Sequence, residues 1–231
     1  MSYSYHVILE QSIPMIKAMG NRSSPIFIPI SGPDAIGKTE LAKKLRKGLN
    51  DALIFTTDHY LNNSREDRLR AAKEGKSGYW LEMHHVELLF SDLGKLKAGM
   101  PIIKRFYDPT YGTTLERTGE CLEPAKYVIV DSGLSLTDAF WAVYPPERFG
   151  IFLSADKNTR RILKSKRDRK ERNYEKLYKK YGNELVECFI QRNLEDCEKI
   201  VMPTARRANL VAEIDTDFNV LSIRIFDRRA T

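Results

Sequence analysis

Residues 26–41, IFIPISGPDAIGKTEL, constrain this chain more than any other stretch. Ile26, Phe27, Ile28 and Ile30 make a short apolar run that reads as a buried strand. Gly32-Pro33-Asp34-Ala35-Ile36-Gly37-Lys38-Thr39 matches G-x-x-x-x-G-K-[ST], and residues 40–49 continue at helical spacing. Strand, Gly-rich loop and helix are the context in which this pattern cradles phosphate. Gly32 and Gly37 let the backbone turn tightly and come close to a ligand. The N–H groups between them, those of Asp34, Ala35 and Ile36, then converge on phosphate oxygens, with the positive end of a helix dipole behind them. Lys38 adds a mobile charge for the outer phosphates, and the Thr39 hydroxyl can take one Mg²⁺ position. The competing reading, a glycine turn with a chance Gly-Lys-Thr, leaves the flanking strand and helix unexplained.

With 231 residues and 42% apolar side chains, the chain is expected to form one large domain or one domain with an insert. Its net charge of +7 and pI of about 9.2 point to an anionic partner, nucleotide phosphates or nucleic acid. Cys121, Cys188 and Cys197 have no C-x-x-C spacing, so neither a zinc site nor a disulfide framework is indicated. No apolar stretch is long enough to span a membrane, and the first residues lack the basic region and apolar core of a signal peptide. A reducing, cytoplasmic setting is the expectation.

Residues 1–24 precede the first strand. Val7, Ile8, Leu9, Ile13, Met15, Ile16 and Met19 recur with a mostly helical period, and Gly20-Asn21 supplies a stop. This extension is expected to be a helix, packed on the body of the domain or offered to a partner. Residues 52–57 read as a second strand ending in Asp58-His59-Tyr60. Ligands of open α/β sheets sit beyond the carboxyl ends of strands, which puts Asp58 where chemistry is expected; a helix or turn cap is the competing reading. Residues 62–78 are polar, without a sustained apolar face, and read as loop and helix at the mouth of a site. His84 and His85 are adjacent, but neighbours on a helix point different ways, and no Cys or carboxylate completes a transition-metal set. Residues 86–98 read as an amphipathic helix ending at Gly99. Residues 101–109 and 120–124 flank a Thr/Gly-rich turn and suggest a small hairpin. The strand at 127–131, YVIVD, ends in Asp131, which resembles the acid that supports Mg²⁺ in P-loop enzymes; an acid merely ending a strand is the alternative. Residues 149–153 read as a further core strand, 190–200 as a helix, and 209–215 and 219–226 as closing strands. Between them, residues 157–180 carry a dense run of Lys and Arg, either a solvated face or an arginine clamp over phosphates.

The order of these pieces resembles the uridine kinase and phosphoribulokinase family of P-loop kinases over residues 25–215. Gly32 to Thr39 matches the nucleotide loop. Asp58-His59-Tyr60 is similar to the family's Asp-x-[FY] segment, whose acid is the general base. Leu96-Lys97-Ala98-Gly99 with Tyr107-Asp108 resembles the L-x-x-G and Y-D landmarks before the hairpin, and Val128-Ile129-Val130-Asp131 stands where the family has a strand ending in an acid. Arg160-Arg161-Ile162 and Arg167-Asp168-x-x-x-Arg172 resemble the lid. Three places depart from the pattern. Gly112 occupies the position of the base-reading His of uridine kinases, residues 79–84 replace the stretch that helps to hold the ribose, with Glu82 available for the hydroxyl contact, and Asp131-Ser132-Gly133 replaces the commoner Glu-Gly pair. Uridine and cytidine are therefore expected to be poor acceptors.

The resemblance implies a three-layer α/β P-loop NTPase fold over residues 25–231, with a central parallel sheet, a small β-hairpin insert and an Arg-rich lid at about 157–180. It implies transfer of the γ-phosphoryl group of ATP, with Mg²⁺, to a hydroxyl of a small molecule of nucleoside, sugar or vitamin type. Gly32, Asp34, Ala35, Ile36, Gly37, Lys38, Thr39 and Arg167 would hold the nucleotide, Thr39 and Asp131 the metal. Asp58, Lys38 and Arg172 would be catalytic, and Tyr60, Glu82, Tyr107 and Asp108 would surround the acceptor. Two alternatives stay open: a nucleotide kinase whose Arg105 and Arg117 face a phosphate acceptor, and a non-catalytic nucleotide-binding module. Nucleic acid is not the expected partner, because no aromatic stacking platform is evident. Neither is a membrane, while self-association into a homo-oligomer is left open.

Overall fold

The computed structural model describes residues 5–20, 24–108, 113–170 and 179–226. The chain runs α1 (His6–Ala18), β1 (Ile26–Ser31), α2 (Lys38–Leu49), β2 (Ala52–Thr56), a 3₁₀ turn (Thr57–Tyr60), α3 (Arg65–Lys73) and α4 (Val86–Lys97). It continues with β3 (Ile102–Asp108), β4 (Thr113–Leu122), β5 (Tyr127–Asp131), α5 (Asp138–Val143), β6 (Ile151–Ser154), α6 (Lys157–Lys170), α7 (Asn183–Asp196), β7 (Leu210–Ile214) and β8 (Val220–Ile225). Six strands form one sheet in the order β2-β5-β1-β6-β7-β8, and β3 and β4 form a separate hairpin. Every pairing in the main sheet is parallel except that of the edge strand β8 with β7.

Side-chain alternation along the strands builds the three layers. Ile26, Ile28 and Ile30 of β1 share a buried cluster with Ile8 and Ile16 of α1 and Leu41 and Leu45 of α2. Phe27, between them, belongs to a second cluster with Leu89 and Leu93 of α4 and Phe140 of α5. A strand covered on both faces reads as a continuous apolar run, which is why residues 26–30 carry no polar alternation. Pro29 is unusual in a central strand because it has no N–H to donate. The ladder toward β6 accommodates it: pairing on that side occurs at Phe27–Arg148, lapses at Pro29, and resumes at Ile30–Ile151.

The N-terminal helix α1 is built into this core. The Tyr5 hydroxyl donates to the Ile36 carbonyl of the phosphate loop at 3.0 Å. A Cβ at Gly48 of α2 would stand 2.4 Å from Ile13 Cδ1 of α1, so the glycine permits the close approach of the two helices. Gly inside a helix typically costs about 1 kcal/mol relative to Ala; here it lets the two helices touch.

Several boundaries differ from those expected of the sequence. The strand expected over 52–57 stops at Thr56, and Thr57 opens the 3₁₀ turn that carries Asp58. The second hairpin strand begins at Thr113, not near residue 120, because the β-branched Thr113 and Thr114 pair with Asp108 and Tyr107 in place of forming the turn. Helix α7 starts at Asn183, seven residues before residue 190, and continues into a π-helical turn, Cys197–Val201. Its early residues Leu185, Val186 and Phe189 pack on Leu69 and Ala72 of α3. That contact is the partner for which α3 has too few apolar residues to show a periodic face.

Candidate active site

A cavity of about 520 Å³ opens beyond the carboxyl ends of β1, β2 and β5. Ligands of open α/β sheets bind in such a crevice, and here β1 has β5 on one side and β6 on the other. The phosphate loop forms one wall, α6 and α7 another, and the Thr57–Tyr60 turn with α3 and Tyr107 of the hairpin a third.

The loop's shape follows from close contacts. Gly32 has φ 141°, and a Cβ there would lie 2.3 Å from the Leu153 carbonyl oxygen of β6, so only glycine fits. Gly37, with φ 91°, turns the chain into α2, and Ala35 also takes a left-handed φ of 65°. The Asp34 N–H donates to the Tyr79 hydroxyl at 2.8 Å. Burial of Tyr79 raises its phenol well above the ordinary range and keeps it protonated. Gly133 makes room for that ring, since a Cβ there would stand 2.7 Å from Tyr79 Cε1. Lys38 Nζ donates back across its own loop, to the carbonyls of Gly32 at 2.9 Å and Pro33 at 2.7 Å.

The Thr39 hydroxyl donates to Asp131 Oδ2 at 2.6 Å, joining the first turn of α2 to the end of β5. Burial raises the Asp131 carboxyl above its ordinary value, while Lys38 and Thr39 work in the opposite direction and the Asp58 charge adds to the rise. A hydroxyl and a carboxylate side by side suit a hard cation that takes its remaining ligands from phosphates and water. Among the described residues no cluster of three or more His, Cys, Asp or Glu could hold a metal ion by itself. The Gly32 cradle and this oxygen pair fit a nucleotide with Mg²⁺.

Asp58 is exposed to the cavity on the turn that follows β2. Its side chain makes no hydrogen bond or ion pair among the described residues, and the turn has no side-chain cap, so capping does not account for it. The turn itself is fixed from below: Thr57 Oγ1 donates to Ser132 Oγ at 2.7 Å, and Ser132 Oγ accepts from the Leu134 N–H at 3.0 Å. Ser132 therefore ties the segment bearing Asp58 to the strand end bearing Asp131.

The basic run is ordered on one helix face. Arg160, Lys164 and Arg167 recur at helical spacing on α6. Lys164 Nζ reaches Asp34 Oδ2 at 3.2 Å and Arg167 Nη2 reaches the same oxygen at 3.3 Å, while Arg160 is paired with Glu198. Lys164 is fully buried, its ammonium 5.3 Å from the Phe189 ring. Arg167 and Lys166 line the cavity, and Arg172 lies outside the described residues, as does Gly112.

Around the acceptor wall the expected residues divide. Tyr107 lines the cavity; its hydroxyl donates to the Asn63 carbonyl at 2.7 Å and accepts from Arg68 Nη1 at 2.7 Å. Asp108, one residue on at the end of β3, is not among the lining residues. Tyr60 is a correction: it is buried, and its hydroxyl donates to Asp92 at 2.9 Å beneath the site because the 3₁₀ turn points residue 60 into the core. Glu82 is a second correction, since Lys76 holds its carboxylate on a separate surface depression outside the cavity. Arg105 also faces away, bonded to Asp92 at 2.6 Å and Glu116 at 2.5 Å, and Arg117 lies over the Phe106 ring. Sequence reasoning passed over Arg68 and Lys164, and it met His84 only as a metal-ligand candidate and Tyr79 only as the start of the stretch replacing the ribose-holding segment. Only Lys164 carried a readable signal, its spacing from Arg160 and Arg167. The others reach the cavity through contacts between distant segments.

A sequence model described as Phosphoribulokinase / Uridine kinase family matches residues 27–220. This chain belongs to that family. No curated protein matches it in sequence. Among solved structures, D-glycerate 3-kinase from Cryptococcus neoformans is 13% identical with a TM-score of 0.67, covering 95% of this chain and 99% of that one. Phosphoribulokinase from Rhodobacter spheroides is 14% identical with a TM-score of 0.62, covering 89% and 81%. A structure described as YGR205w protein is 18% identical with a TM-score of 0.62, covering 94% and 95%. At these identities the likeness is one of fold: a P-loop kinase architecture with a mostly parallel central sheet. No helix among the described residues is long and apolar enough to cross a membrane.

Proposed function

We propose that this P-loop kinase transfers the γ-phosphoryl group of ATP to a hydroxyl of a small molecule, with residues 25–231 as its catalytic unit and α1 as a buttress of the phosphate loop. The observation that carries the reading is the sharing of one cavity by the phosphate loop, the Thr39–Asp131 pair and the uncapped Asp58. A nucleotide-binding module has no need of a carboxylate there.

Backbone N–H groups of residues 34–37 hold the phosphates, and Lys38 exchanges its two loop carbonyls for their oxygens. Thr39 and Asp131 hold Mg²⁺, directly or through water; when bound, it neutralises charge on the outer phosphates. Asp58 orients the acceptor hydroxyl and takes its proton. Arg167 moves from Asp34 to the nucleotide, and its charge favours the transferring group. Phosphoryl transfer depends on positioning and charge neutralisation more than on covalent chemistry, which is what this set of groups can supply.

Asp58→Asn tests the assignment. General-base catalysis is typically worth about 10²–10⁴-fold, so turnover is expected to fall by that order while affinity for a non-hydrolysable ATP analogue and the melting temperature stay near those of the parent. Normal turnover per folded molecule would remove Asp58 from the mechanism.

A further inference from the structure

Four basic side chains line the cavity among the described residues: Lys38, Arg68, Lys166 and Arg167. Lys38 belongs to the phosphate loop, and Lys166 and Arg167 to α6. Arg68 comes instead from α3, on the wall that carries Asp58 and Tyr107. Its Nη1 donates to the Asn63 carbonyl at 2.5 Å and to the Tyr107 hydroxyl at 2.7 Å, and its guanidinium lies 5.2 Å from the Tyr107 ring centre. Both partners are neutral. Among the described residues no carboxylate pairs with Arg68, and its Nη2 and Nε make no hydrogen bond. Two other arginines near the site differ: Arg167 reaches Asp34, and the buried Arg105 reaches Asp92 and Glu116.

A second observation points to the same place. His84 lines the cavity at 4% exposure, and its Nδ1 has no hydrogen-bond partner. Burial lowers its affinity for a proton, the Asp58 charge and hydrogen bonding to the backbone of Trp80 and Leu81 oppose that, and Arg68 reinforces it. A guanidinium fixed through Nη1, with Nη2 and Nε left for a ligand, beside a buried imidazole, is built to receive oxygens that carry charge. Of the carboxylates on the lining, Asp34, Glu40 and Asp131 lie on the phosphate-loop side, and Asp58 alone shares the wall of Arg68.

We propose that the phosphoryl acceptor carries an anionic group, a carboxylate or a phosphate monoester, and that Arg68, oriented by Tyr107 and Asn63 and flanked by His84, binds it while Asp58 faces the acceptor's hydroxyl. The proposal rests on the kinase reading above and names its substrate class. Arg68 acts in binding: it holds ground state and transition state alike, so its loss raises KM and leaves kcat in place.

The test is ADP release from ATP and Mg²⁺ with matched pairs, D-glycerate against glycerol for the carboxylate and ribose 5-phosphate against ribose for the phosphate, with uridine alongside. One anionic member is expected to exceed its neutral counterpart in kcat/KM at least tenfold, and the pair that responds identifies the anion. Arg68→Gln is expected to raise the KM of that acceptor roughly ten- to a hundredfold, the effect of losing charge-assisted hydrogen bonds, with kcat nearly unchanged. Arg68→Lys, which keeps the charge without the fork, should fall between; melting curves of both variants identify any loss of folded protein. A neutral acceptor turned over best would overturn the proposal. So would an Arg68→Gln protein in which anionic and neutral members change equally, or a panel in which no anionic member is phosphorylated although an ATP analogue binds. In that last case the kinase reading survives on nucleotide binding. Failure of the ATP analogue itself to bind would sink both.

Discussion

The two walls of the cavity are built in opposite ways. The phosphate-loop wall is local: eight consecutive residues form the turn, and the loop's own carbonyls occupy Lys38. The acceptor wall is assembled from segments far apart in the chain. Asp58 arrives on a turn after β2, Arg68 on α3, His84 from the loop before α4 and Tyr107 from the hairpin. The local wall occupies its lysine with its own carbonyls, which phosphates can displace. The assembled wall holds its chemistry on a buried scaffold, in which Tyr60, Asp92, Arg105 and Glu116 lock the turn, α4 and the hairpin together. A binding loop shared by many enzymes needs few neighbours, whereas a wall that selects an acceptor depends on many.

Four perturbations would break or sharpen this contrast. The largest expected effect is Asp92→Ala. It strips the acceptor of the Tyr60 hydroxyl and one partner of Arg105, whose side chain is 5% exposed, and breaking a buried pair typically costs about 3–5 kcal/mol. Chemical denaturation should register the loss, while the fraction still folded binds an ATP analogue as the parent does. An equal loss of nucleotide affinity would show that the two walls are not separable.

Lys38→Ala acts on the other wall. Removing one group that neutralises transition-state charge typically lowers turnover by roughly 10²–10³-fold. Stability should barely change, because Lys38 donates only to two loop carbonyls. A turnover near that of the parent would dismiss the phosphate-loop assignment.

Gly32→Ala is expected to cost about 1–3 kcal/mol, the range for a group forced into a filled space, since its Cβ would meet the Leu153 carbonyl. Nucleotide affinity should suffer along with stability, unlike in Asp92→Ala. Isothermal titration with an ATP analogue separates the two patterns; unaltered affinity at a lowered melting temperature would mean that the loop relaxes without losing its shape.

The smallest effect is a pH dependence. His84 has a folded-state pKa below its ordinary 6.5, chiefly through burial. The unfolded chain therefore takes up the proton first. The stability that comes from keeping the imidazole neutral is complete above about 6.5 and declines as pH falls toward the folded value. His59 is shifted in the same direction, again mainly by burial, so His84→Gln should reduce, without abolishing, the fall in melting temperature between neutral and mildly acidic pH. An unchanged slope would mean that His84 does not sense the proton.

The elements with a short-range signature were legible in the chain. The β1–loop–α2 unit, α1, α4 and the strand ending in Asp131 depend on local periodicity, glycine conformation and residues within a few positions of one another. The hairpin strand from Thr113 was not, since a Thr/Gly-rich stretch reads as a turn until β3 is there to pair with it. Nor was the start of α7, whose apolar residues make sense only against Leu69 and Ala72 of α3. Within the site, the loop motif named Lys38 and Thr39 and the strand ends named Asp58 and Asp131 as candidates, but Tyr60 and Glu82 were expected on the acceptor wall and lie elsewhere. A side chain's direction on a one-turn helix is set by what packs beneath it, and no spacing rule reports that.

The sequence by itself determined that this chain folds around a phosphate loop between a strand and a helix, because glycine conformation, strand burial and helix spacing all act within sixteen consecutive residues. The tertiary structure alone decided which charges face the cavity. Arg105 and Arg117 were as available in the sequence as Arg68, yet Arg105 is drawn under the site by Asp92 and Glu116 and Arg117 lies against Phe106 on the hairpin. Arg68 is left on the cavity wall with only neutral oxygens as partners. A charged side chain settles where its countercharge is, and Asp92 and Glu116, 13 and 11 residues from Arg105, are brought to it by the packing of α4 and the hairpin.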